Sequence, residues 1–131
     1  MNAAVRNGSL TAPVDVAAMR ETAAKLLGPD DGPDALPPAP GELGTLTALL
    51  CGHLQLLIPE VEAKAGRLPK DSPARYCARA CVGEARRKLG VGDGSTPAVR
   101  VSVARKLARC VNALCRHYEE LHDQAPAAGQ P

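Results

Sequence analysis

The sequence predicts an all-α fold, an antiparallel bundle of three long helices plus a short N-terminal helix. Three observations predict it. Apolar residues recur at helical spacing through three long segments. No run alternates with period two as a half-buried strand would. Aromatic residues are almost absent, with Tyr76 and Tyr118 but no Phe or Trp. The core is therefore built from Leu, Val, Ala and Cys, small side chains suited to closely packed helices, and 131 residues suffice for one domain.

Residues 1–12 carry no periodic signal and are expected to be a disordered lead. A short helix is expected over 13–28, with Val16, Met19, Ala23, Leu26 and Leu27 on one face, ended by Gly28 and Pro29. The stretch 29–41 is rich in Pro, Gly and Asp and reads as an acidic, stiff linker.

The bundle proper is expected over 42–123. Its central helix spans 43–68. Leu43, Leu46, Leu50, Leu54, Leu57, Val61, Ala65 and Leu68 fall in one stripe about 100° wide. Leu49 and Leu56 widen that stripe, so they face either a neighbouring helix or a second copy of the chain, which makes a homodimer a candidate assembly. Pro59 removes one helical hydrogen bond and predicts a bend or a break.

Ser72 and Pro73 form a helix start, with Gly90 as the stop. On this third helix Cys77, Ala78, Cys81, Val82, Ala85 and Leu89 are expected to face the core, and Arg75, Arg79 and Arg86 share a surface beside it. Thr96 and Pro97 repeat the start signal. The last helix should run to about Asp123, with Val103, Leu107, Cys110, Val111, Leu114, Tyr118 and Leu121 inward and Arg105, Arg109, Asn112 and Arg116 outward. Residues 124–131 are expected to be a disordered tail.

The net charge of +2 hides an uneven distribution. Residues 67–116 hold twelve Lys or Arg against three acids, a local balance of +9, and the rest of the chain carries −7. Such a basic half suits an acidic protein partner, which Arg75, Arg79, Arg86, Arg105, Arg109 and Arg116 would contact, or the phosphates of nucleic acid. Neutralisation by the acidic linker and by the Glu119, Glu120 and Asp123 end of the last helix, or a plain solvated face, accounts for the same pattern. The basic region has only Tyr76 for base stacking and no helix-turn-helix, zinc-finger or RNA-recognition signature.

Five cysteines, an odd number, fit reduced thiols in the cytoplasm better than a closed disulfide set. The start of the chain lacks the apolar core of a leader, and the apolar runs look too short for a membrane span, which agrees with a cytoplasmic place. Cys77 and Cys81, one helical turn apart, with Cys110, make a candidate metal or redox site, although the paired C-x₂-C knuckles of structural zinc are absent and buried cysteine usually acts as a small hydrophobe. His53, Glu60 and Tyr76 make a candidate pocket. No phosphate loop, nucleophile elbow or HExxH occurs, so no cofactor is indicated and an enzyme is the weaker reading.

The blocks PEVE (59–62), RLPKD (67–71), ARYCARACVGEARRKL (74–89) and VNALCRHYEEL (111–121) resemble a family of small helical proteins of high-GC bacteria. These proteins are known as natural product biosynthesis proteins and carry a domain of unknown function. The resemblance covers about residues 43–121 and implies an accessory or regulatory role in secondary metabolism.

Overall fold

The computed structural model describes residues 14–28, 36–92 and 94–128, with side chains described up to Leu121. The expected lead (1–12), most of the linker (29–35) and the last three residues of the tail lie outside the described residues. Four helices and no strand are present among the described residues: α1 (Val16–Leu27), α2 (Pro40–Gly66), α3 (Pro73–Leu89) and α4 (Pro97–Ala128). Their lengths are 12, 27, 17 and 32 residues, so α3 is of intermediate length rather than long.

Local chemistry sets the helix ends. The Asp15 carboxylate accepts from the Ala18 amide at 3.0 Å and opens α1. Gly28, at a left-handed φ of 73°, closes it by donating its amide to Ala24 O at 2.7 Å. Helix α2 begins at Pro40, earlier than its apolar stripe, because proline suits a first position whose amide has no helical partner. It continues unbroken through the exposed Pro59 to Gly66, so the break allowed by the sequence does not occur. Ser72 Oγ accepts from the Arg75 amide at 3.2 Å, and Thr96 Oγ1 from the Val99 amide at 3.1 Å, as both start signals require. Helix α4 runs on to Ala128, past the expected end near Asp123.

Helices α2 and α4 pack most extensively on each other, and α1 and α3 each pack against both. The centre is thus a helix pair rather than one helix. Leu26 of α1, Leu50, Leu54, Leu57 and Val61 of α2, Val82 of α3, and Val111 and Leu114 of α4 are fully buried in one shared core. Each such side chain contributes about 1.5–3 kcal/mol by leaving water. By length and composition α2 also meets the requirement for crossing a membrane, contrary to the sequence expectation; its leucine stripe is packed in this core.

Inward assignments change on two helices. Cys77 is exposed, because the core face of α3 is centred on Ala78, Val82 and Ala85 and Cys77 lies beyond its edge. On α4 the fully buried set includes Ala104, Ala108 and Cys115, whereas Val103 and Tyr118 are half-buried. Small residues at that seam admit close approach of a neighbouring helix, which outweighs the pull of the larger side chains.

Candidate functional site

Three of the six arginines expected to face a partner hold the helices together. Arg75 donates to Leu68 O at 2.8 Å and Gly66 O at 3.4 Å, satisfying carbonyls at the end of α2. Arg86 forms a two-pronged pair with Glu62 of α2 at 2.9 and 2.7 Å, which raises its pKa through that hydrogen bond and charge. Arg105 donates from Nε to Leu26 O at 3.2 Å, joining α4 to the end of α1.

Arg79, Arg109 and Arg116 are exposed. Arg79 stands on α3 apart from the other two. Arg109 and Arg116, one face of α4, line a groove of about 420 Å³ with Asn112, Ala113 and Arg20 of α1. Glu119 meets Arg20 at 2.9 Å, and Glu120 stands 3.9 Å from Arg116. The acidic end of α4 therefore offsets part of this positive charge. Arg20 has no forewarning in the sequence, since it lies far outside the basic segment and reaches the groove only through the packing of α1 on α4.

A second groove, about 310 Å³, lies between α3 and α4. Cys81, Cys110 and Ala113 supply apolar lining, and Glu84, Lys88, Lys106 and Arg109 supply charge. Burial pushes the Cys81 thiol up to about 11, with the neighbouring Cys110 and Glu84 adding to the effect. Burial also raises Cys110. Hydrogen bonds from Lys88 and Arg87 hold the Glu84 carboxyl down to about 2. The groove thus has a neutral thiol lining and an ionised rim at physiological pH, the reverse of a reactive cysteine site, which needs a stabilised thiolate. Both grooves are lined by Arg109 and Ala113, so together they form one surface with the outer ridge of α4 between them.

The other candidates are dispersed. His53 Nε2 lies 3.1 Å from Thr22 Oγ1, tying α2 to α1, and burial lowers its pKa. Glu60 is half-buried two turns further along α2, and Tyr76 is 76% exposed on α3. None of the three lines either groove. Cys77 is exposed whereas Cys110 is buried, and among the described residues no group of three or more His, Cys, Asp or Glu is arranged to hold a metal ion. A third groove of about 320 Å³ lies between the start of α2 and Arg100.

A family model described as a family of unknown function, DUF6415, matches residues 17–123. It takes in α1, which the resemblance over 43–121 leaves aside. No curated protein and no solved structure matches the chain.

Proposed function

The chain belongs to the DUF6415 family of unknown function, and from that premise we propose that it is a small interaction protein whose α4 surface docks an acidic partner. The observation that carries the reading is the pair of grooves flanking α4, with Arg20, Arg109, Arg116 and Lys106 around an apolar strip at Cys81, Cys110 and Ala113. Carboxylates on the partner meet the guanidinium and ammonium groups, and small apolar side chains cover the strip. Electrostatic complementarity of this kind sets partner choice and speeds encounter.

The finer assignments belong to the same proposal. The four helices are arranged as an antiparallel bundle, a reading supported by the short α2–α3 connection and by the shared core. The protein works in the cytoplasm, where its five cysteines stay free thiols. Its role is accessory or regulatory, in natural product biosynthesis in high-GC bacteria, a reading supported by the resemblance of the 59–62, 67–71, 74–89 and 111–121 blocks.

The test is capture from host lysate with the wild type and with Arg109→Glu/Arg116→Glu. A protein retained by the wild type in the presence of nuclease and lost with the variant is the expected result. Equal retention by both, or capture of nucleic acid alone, refutes the acidic-protein reading.

A further inference from the structure

On the side of α2 turned away from the core, Thr45, Leu49, Gly52, Leu56, Pro59 and Ala63 lie within about 40° of the direction opposite Leu54. None of these six is charged over a length of about 27 Å at the helical rise, and Glu60, half-buried, stands on the flank beside them. Thr45, Pro59 and Ala63 are exposed, Leu49 is 46% exposed, Gly52 is half-buried, and Leu56 is half-buried with part of its side chain packed against the edge of the core. Nothing lies within 4 Å of where a Gly52 Cβ would stand, so the backbone there is open to close approach.

The order of these residues is self-complementary about position 54. If two such helices cross antiparallel there, Leu56 of each copy meets Gly52 of the other, Leu49 meets Pro59, and Thr45 meets Ala63. The charges at the two ends follow the same symmetry. Glu42 and Arg67 both project from one flank of this face, about 20° apart around the helix axis. Neither has an ion-pair partner among the described residues. The antiparallel crossing brings each Glu42 to Arg67 of the other copy, twice per pair, while a parallel crossing leaves them at opposite ends and pairs neither. Charged positions flanking an apolar seam fix orientation in this way.

We propose that the outer face of α2 is a two-fold interface between two copies of this chain. The inference is independent of the acidic-partner reading, since none of the α2 residues it uses lines either α4 groove. A stable interface buries about 800 Å² per partner, and a single helix face lies at or below that figure, so the dimer forms in a concentration-dependent way.

Sedimentation velocity of the full chain, from about 1 µM to about 500 µM, tests it. The expected result is a reversible shift from one to two chains per particle. Leu49→Glu, at an exposed position, should raise the dissociation constant about tenfold or more. Glu42→Arg should weaken the dimer, and Glu42→Arg/Arg67→Glu should restore it. Circular dichroism of each variant checks that the helices persist. A monomer at every concentration, a dimer indifferent to Leu49→Glu, or failure of the double exchange to rescue would overturn the proposal. So would a monomeric chain that co-sediments with neutral phosphatidylcholine vesicles, which would make the face lipid-seeking.

Discussion

Individual side chains divide into those whose role follows from position in the helix and those whose role depends on a partner far away in sequence. Cys110 and Cys81 lie at or near the apolar stripe of their helices, and accordingly Cys110 is buried and Cys81 half-buried. Cys77 shows the limit of that reasoning. It sits one residue before Ala78, and the choice of which of the two meets the core depends on how α3 is rotated against α2 and α4. A thiol-reagent titration at mildly alkaline pH checks the result: Cys77, the exposed one of the five cysteines, should react fastest, and Cys77→Ser should abolish that phase, because Cys110 and Cys115 are buried, Cys51 and Cys81 are half-buried against the core, and Cys81 and Cys115 are both held up to about 11. The arginines are harder still. Periodicity says that Arg86 lies outside the core, but Glu62, which engages it, is 24 residues away and on another helix. Histidines give the second residue-scale prediction. Burial lowers the pKa of His53 and His117 below 6.5, so just below that value the unfolded chain binds protons that the native chain refuses. Stability is full above about pH 6.5 and falls as pH drops through and below it, and denaturant melts at a series of pH values should show His53→Gln with a shallower loss.

Helices as units were the most legible part of the molecule. Ser72-Pro73 and Thr96-Pro97 announce two starts, and Gly28 announces a stop, because each signal satisfies a backbone group that the helix itself leaves unpaired. Ser72→Ala should therefore cost about 1 kcal/mol in a urea melt. The start of α2 was less visible, since Pro40 belongs to a proline-rich stretch and Ala39 supplies no capping side chain. Pro59 was ambiguous for a physical reason. A proline can bend or end a helix, and which happens depends on whether packing on both sides of it holds the helix in register. Here Leu57, Ile58 and Val61 are buried around it. Inside α3, an added Cβ at Gly83 meets only Arg87 Nη1 at 3.7 Å. Gly83→Ala is accordingly expected to raise stability by up to about 1 kcal/mol, read as a higher urea midpoint with an unchanged slope.

At the scale of the molecule, the all-helical class was evident from patterning, while the arrangement was not. Sequence periodicity places α2 in the middle because its stripe is the most apolar. The packing instead makes α2 and α4 a central pair, since Ala104, Ala108 and Cys115 give α4 a seam of small residues that periodicity scores poorly. Leu54→Ala, at a fully buried site, should cost about 2–5 kcal/mol and unfold the helices together in one transition. The candidate site was legible only in part. The basic segment between residues 67 and 116 is plain in the sequence, yet three of its arginines serve the fold, and the surface that remains is completed by Arg20 of α1. That dependence on tertiary packing agrees with a family unit that begins within α1.

The claim that the α4 surface recognises acidic, partly apolar segments is tested most directly by selecting a random peptide display library on the immobilised protein. The expected outcome is enrichment of sequences rich in Asp and Glu, with small apolar residues three or four positions apart, whose binding is lost when the protein carries Arg109→Glu/Arg116→Glu. Enrichment of neutral or basic peptides, or of acidic peptides that bind the charge-reversed protein equally well, would contradict it.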